Sequence, residues 1–122
     1  MNHLISLIMA VVTAVSGQLI LKAAMIKIGK LTFAKPSIIS ELTKIFTEPF
    51  IFIGLVLYGL SFIFWLKVIS TEELSRVYPL VVSSIITLIL LGSAFFFKES
   101  ISLIRVIGIL VIIFGIYLVF RS

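Results

Sequence analysis

Four stretches of the chain run almost without charge: Leu4 to about Met25, Phe50 to about Ser70, about Val77 to Phe97, and Leu103 to Phe120. About 20 apolar residues in a helix cross a hydrocarbon core of roughly 30 Å. Each stretch therefore predicts one membrane-spanning helix. The first has no charge before Lys22, and only Met1, Asn2 and His3 precede it. It lacks the basic start and small-residue cleavage site of a signal peptide and reads as a retained helix. The second opens just after Pro49, which suits a first helical turn. All four stretches are continuous and not alternating, a pattern that argues against a β-barrel. The predicted fold is all-α, a single four-helix transmembrane domain over residues 1–122.

The connections between these helices are unequal. Ile26 to Glu48 separates the first two, whereas Thr71 to Arg76 and Lys98 to Ser102 are tight turns. Tight turns predict antiparallel neighbours, helix two beside three and three beside four. Within the long loop, Ile38, Ile39, Leu42, Ile45 and Phe46 recur at helical spacing opposite Ser40, Glu41, Thr43, Lys44 and Thr47. The pattern predicts a short amphipathic helix, with a solvated loop as the alternative. Such a helix has the form of one that lies on the membrane surface and guides a head group.

Composition agrees with a bilayer as solvent. Of the 122 residues 61% are hydrophobic and 12% charged, against about a quarter charged in an ordinary soluble domain. No room remains for a soluble enzyme domain, and the absence of cysteine removes disulfides, thiolate metal sites and cysteine nucleophiles. The net charge of +5 does not point to nucleic acid, because the basic residues stand singly at the borders of apolar runs. Their distribution predicts an orientation instead. Lys22, Lys27, Lys30, Lys35, Lys44, Lys98 and Arg105 fall on one side, and Lys67, Arg76 and Arg121 on the other. The positive-inside rule then puts the long loop and the 98–102 turn in the cytoplasm and both termini outside.

Polar residues inside a span need a partner or a water-lined path, so each is a functional candidate. On the first helix Ala14, Gln18 and Lys22 form one stripe, flanked by a seam of Ser6, Ala10, Thr13 and Gly17. The seam serves either helix packing or a substrate path. Gln18 either faces that path or bonds a neighbouring helix. Lys22 either snorkels to the headgroups or meets an anion. On the third helix Arg76, Pro79, Leu80, Ser83 and Thr87 share an arc, with Ser84 at its edge and Tyr78-Pro79 at its opening. Arg76 is either an interfacial anchor or a bidentate phosphate ligand. All five carboxylates, Glu41, Glu48, Glu72, Glu73 and Glu99, lie in loops or at their edges. No mid-membrane acid is present to couple a cation to protons. The sequence also lacks a Ser/His/Asp set, a metal cluster and a phosphate-cradling glycine loop, so neither enzyme activity nor a cofactor is expected. Gly108 and Gly115, seven apart on the fourth helix, suit a close helix contact, either with the same helix of a second copy or within one chain.

The order Gly17-Gln18-Leu19 then Lys22, Gly54 and Trp65 in the second helix, Tyr78-Pro79 with Ser83, Lys98-Glu99-Ser100, and Gly108 to Gly115 resembles the four-helix members of the drug/metabolite transporter superfamily. The resemblance covers nearly the whole chain except the long first loop. Small multidrug resistance exporters are similar in length and in the last glycine pair, but they carry a membrane-embedded glutamate where this chain has Ala14. Undecaprenyl-phosphate-aminoarabinose flippase subunits and their EamA-like relatives are more similar, through Gly17, Gln18, Leu19, Lys22, Tyr78, Pro79 and Glu99.

That resemblance implies an EamA-like transporter of the bacterial inner membrane that flips a polyprenyl-phosphate-linked sugar or similar anionic amphiphile. It implies a homodimer, or a heterodimer with a homologous subunit, joined at Gly108 and Gly115, with membrane lipids around it. The candidate substrate residues are Gln18, Lys22, Arg76, Tyr78, Ser83, Ser84, Thr87 and Glu99. Export of small cationic or polar compounds, and a non-transporting subunit of a larger complex, are the alternatives.

Overall fold

The computed structural model describes residues 3–121, of which His3 is placed by its backbone alone. Met1, Asn2 and Ser122, to which the predicted orientation also assigns a side, are not among the residues described. Five helices follow one another: α1 (His3–Ile28), α2 (Ile38–Thr47), α3 (Pro49–Thr71), α4 (Leu74–Phe96) and α5 (Leu103–Arg121). All but α2 are long and apolar enough to cross a membrane. The expected all-α architecture, including the short helix in the first loop, is the one observed.

Local chemistry sets the helix ends. α1 runs to Ile28 and stops at Gly29, whose φ of 97° suits a residue without Cβ and whose N–H reaches back to the Met25 carbonyl at 2.8 Å. Pro49 opens α3, where its missing N–H costs nothing, and the Glu48 carboxylate accepts a long bond of 3.4 Å from the Phe50 N–H. After α4 the chain reverses at Lys98, which takes a left-handed φ of 53°, and the Glu99 N–H bonds the Ser93 carbonyl at 3.3 Å. α4 begins at Leu74, so Pro79 lies in its second turn and not its first. The Ser75 carbonyl therefore faces a residue with no N–H to offer it.

α1 is the hub. It packs along α3 on one side and against α4 on the other, while α5 packs on α4. The approach of α1 to α3 depends on glycine: a Cβ on Gly17 would stand 3.0 Å from the Gly54 carbonyl oxygen, and one on Gly54 would stand 3.2 Å from the Gly17 carbonyl oxygen. The seam of Ser6, Ala10, Thr13 and Gly17 is buried, which is what small residues at a membrane-helix interface accomplish. Thr13 satisfies its hydroxyl on the Met9 carbonyl at 2.6 Å. Val11, Val15 and Val81 form the small apolar core, with Leu7, Leu19, Trp65, Ile85 and Ile89 against it.

The tight turn between α3 and α4 leads one to expect that they lie side by side. They are antiparallel but do not pack along their length; α1 contacts both, and the two meet where the Trp65 and Tyr78 rings approach edge-on at 5.9 Å. Turn length limits the separation only at the turn. α3 packs on α1 at Gly17, α4 packs on it at Val11, Val15 and Leu19, and a cleft is left between the two.

Candidate functional site: a cleft between α3 and α4

The cleft has a volume of about 560 Å³. Ala10, Ala14 and Gln18 of α1 form its floor, spaced four apart so that one helix face supplies all three. α3 contributes Leu55, Tyr58, Gly59, Ser61, Phe62 and Trp65, and α4 contributes Tyr78, Val81, Val82 and Ile85. Because α1 and α3 are antiparallel, Gln18 and Leu55 lie towards one end, and Trp65 and Tyr78 towards the other. Gln18, Tyr58 and Tyr78 are all exposed, so the cleft opens sideways to the surroundings of the helices.

The lining is aromatic and apolar with a few neutral polar groups. Among the described residues, the lining contains no Asp, Glu, Lys, Arg or His. Gln18 brings both a donor and an acceptor, and the tyrosines bring hydroxyls. Such a surface accommodates an amphiphile: rings and aliphatic side chains cover apolar segments while hydroxyl and amide groups bond polar ones.

The eight candidate residues are distributed over several places. Gln18 and Tyr78 share the cleft. Ser83 is buried, and its hydroxyl donates to the Leu80 carbonyl at 3.0 Å; Ser84 donates to the same carbonyl at 2.8 Å. Thr87 donates to the Ser83 carbonyl at 2.9 Å. These three hydroxyls serve their own helix, as Ser and Thr commonly do in an apolar surrounding. Arg76 occupies a recess with Glu73, Ser75 and Val119 at the end of the molecule nearest Tyr78, and its guanidinium lies 5.9 Å from the Phe120 ring. Glu99 lines a separate recess of about 320 Å³ between α4 and α5, together with Ser93 and Arg105. Lys22 is exposed on α1 and lines none of these hollows. Gly108 and Gly115 face open space, with no atom within 4 Å of a Cβ built on either.

Of the aromatic wall, Tyr78 is a sequence candidate, Trp65 enters only through the family resemblance, and Tyr58 and Phe62 are not candidates at all. Tyr58, Phe62 and Trp65 stand four and then three residues apart, one helical stripe on α3. The spacing was a usable signal, but aromatics on a spanning helix face lipid as readily as a cleft. Among the described residues no group of His, Asp and Glu side chains is placed to hold a metal ion.

Two curated proteins are similar in sequence. Over 70 residues, 57% of this chain, it is 34% identical to a protein of Proteus mirabilis described as "Probable 4-amino-4-deoxy-L-arabinose-phosphoundecaprenol flippase subunit ArnF", 53% of whose length is covered. Over 81 residues, 66% of this chain, it is 29% identical to the uncharacterized protein y4nH of Sinorhizobium fredii, 69% of which is covered. The chain thus matches about half the length of the first relative. No family model and no solved structure matches it. With four helices fit to cross a membrane, this is a multi-pass membrane protein with sequence similarity to a flippase subunit.

Proposed function

We propose that the chain is an EamA-like transporter subunit of the bacterial inner membrane that moves a polyprenyl-phosphate-linked sugar, or a similar anionic amphiphile, between leaflets. The observation that carries this reading is the cleft: it opens sideways, is walled by Tyr58, Trp65 and Tyr78, has Gln18 on its floor, and holds no acid among its lining residues. A lipid-linked head group enters from the side while its tail stays in hydrocarbon. A drug exporter that binds cations needs a carboxylate at this depth, and Ala14 occupies the floor where one would stand. Arg76 meets the phosphate at the Tyr78 end. Ser83, Ser84 and Thr87 shape α4 from within, and Lys22 and Glu99 act at the opposite end from Arg76. The name of the Proteus mirabilis relative supports the substrate class.

One copy leaves the cleft open on a side and α5 without a buried residue. A second copy, or a homologous subunit, closes the path by packing at Gly108 and Gly115, as repeat-based transporters build a site between halves. By the positive-inside rule residues 26–48 and 98–102 are cytoplasmic.

The test is reconstitution of the purified protein into liposomes with a labelled polyprenyl-phosphate sugar. Head-group movement between leaflets is the expected result. Gln18→Ala and Arg76→Ala should each slow it roughly tenfold, the effect of losing a polar contact of about 1.5 kcal/mol, with membrane abundance unchanged. No movement, with drug uptake that responds to a pH gradient, rejects the reading.

A further inference from the structure

The segment between α1 and α3 carries features that neither the cleft nor the association of α5 uses. Residues 29–37 fold back onto α2 and are held there by one carboxylate. Glu41 accepts from the Thr32 N–H and the Thr32 hydroxyl, both at 3.0 Å, and from the Phe33 N–H at 2.8 Å. Phe33 takes a left-handed φ of 53° to reach it, a conformation that costs a non-glycine residue energy and persists only where surrounding bonds enforce it. Glu48 is engaged too, 3.8 Å from the Lys27 ammonium, which also sits over the Phe50 ring. Both acids of the segment are therefore committed internally. Lys30 and Lys35 have no ion-pair partner among the described residues, and Lys44 lies on the polar side of α2.

The other side of α2 is apolar and uncovered. Ile38, Ile39, Leu42 and Phe46 are exposed, Ile39 by 77% and Phe46 by 64%, and the Glu41 clasp sets exposed Phe33 near the start of the same helix. The helix itself adjoins a span: Glu48 alone separates α2 from α3, and Phe52 and Ile53 in the first turns of α3 are exposed as well. The Lys27–Glu48 pair ties the end of α1 to the same place.

We propose that residues 29–48 form a membrane-surface element that binds anionic phospholipid: α2 lies in the headgroup layer with Ile39, Leu42 and Phe46 at the acyl boundary, and Lys30, Lys35 and Lys44 attract lipid phosphates. Two observations favour a lipid surface over a protein partner. The helix that carries the uncovered apolar face runs into a spanning helix through Glu48 alone, which holds that face at the end of a span, where the membrane boundary lies. The charge left over is all of one sign, opposite to that of an anionic leaflet, which attracts basic segments beside a span. The inference stands without the transport reading, since it concerns a different surface and a resident lipid.

The chain has no cysteine, so single spin labels can be placed in the full protein at Ile39→Cys, Phe46→Cys, Ser40→Cys and Thr43→Cys without background. The probe is a vesicle of phosphatidylcholine with or without phosphatidylglycerol. Labels at 39 and 46 should collide several-fold more with oxygen than with a water-soluble nickel chelate, and labels at 40 and 43 the reverse. Adding phosphatidylglycerol should immobilise 39 and 46 further, and Lys30→Gln, Lys35→Gln and Lys44→Gln together should abolish that response while leaving the chain inserted. Equal nickel access at all four sites overturns the proposal. So does shielding of 39 and 46 from both reagents with spin–spin broadening between copies, which would mean that protein covers the face. A triple variant that keeps its response to phosphatidylglycerol overturns the role of the lysines.

Discussion

Gly17 and Gly54 sit where α1 and α3 press together, so close that a Cβ on either would crowd the other's carbonyl oxygen. Gly108 and Gly115 of α5 face nothing, and no residue of α5 is buried. All four are glycines on apolar helices, yet the pair on α1 and α3 is consumed inside the chain and the pair on α5 is left over. In a bilayer, lipid tails are as apolar as leucine, so helices associate through close packing and not through escape from water. A glycine pair is a chance for such packing. Whether the chain itself takes it depends on which helices the connections allow to meet.

Breaking the used pair should have the largest effect. We predict that Gly17→Val, which must displace backbone on α3, costs about 1–3 kcal/mol or more as overpacking, seen as a loss of resistance to denaturation by sodium dodecyl sulfate. Unchanged resistance would show that α1 and α3 do not cross closely. Next comes the unused pair: Gly108→Leu with Gly115→Leu should leave that resistance within about 0.5 kcal/mol, as for substitutions clear of packed groups, and lower energy transfer between labelled copies in liposomes. Unaltered energy transfer would remove α5 as the joining surface. Aromatic truncation at the cleft is intermediate in kind, because Trp65 both walls the cleft and contacts the core. Trp65→Leu should slow head-group movement more than it lowers stability, and a purely structural role would move only the second.

The smallest effect concerns the clasp. The Thr32 N–H, foremost, then the Phe33 N–H, the Thr32 hydroxyl and the nearby Lys44 charge hold the Glu41 carboxyl below the usual glutamate range, against the opposing pull of burial. A lowered carboxyl strengthens the folded arrangement while ionised. The clasp is therefore complete above the ordinary glutamate range of about 4.3 and is lost as pH falls through the lowered value. A spin label at Lys35→Cys should stay ordered down to that acid limit in the parent chain and be mobile at every pH in Glu41→Gln. An ordered label in Glu41→Gln would mean that the carboxylate does not hold residues 29–37.

Legibility differed by region. The four spanning helices were plain from hydropathy because a bilayer demands a long apolar run and complete internal backbone bonding, and both requirements are written locally. α2 was plain from its period. The cleft was half legible: Gln18 and Tyr78 lie in it, and the stripe of Tyr58, Phe62 and Trp65 was present but indistinguishable from a lipid-facing one. Ser83, Ser84 and Thr87 share an arc on α4, yet their hydroxyls bond their own helix. Periodicity reports where a side chain emerges and not which acceptor is nearest. Glu41 was invisible as a clasp, because its donors lie eight and nine residues away on a segment without periodicity.

The sequence by itself determined that the chain lives in lipid, how many times it can cross, and that no carboxylate reaches mid-membrane, since each is a matter of residue type along a line. The tertiary structure alone decided that α3 and α4, joined only by Glu72 and Glu73, both pack on α1 instead of each other, and that the space so left is walled by aromatics. Packing between helices depends on which small faces meet. That is a property of pairs of surfaces, and no single stretch of sequence contains it.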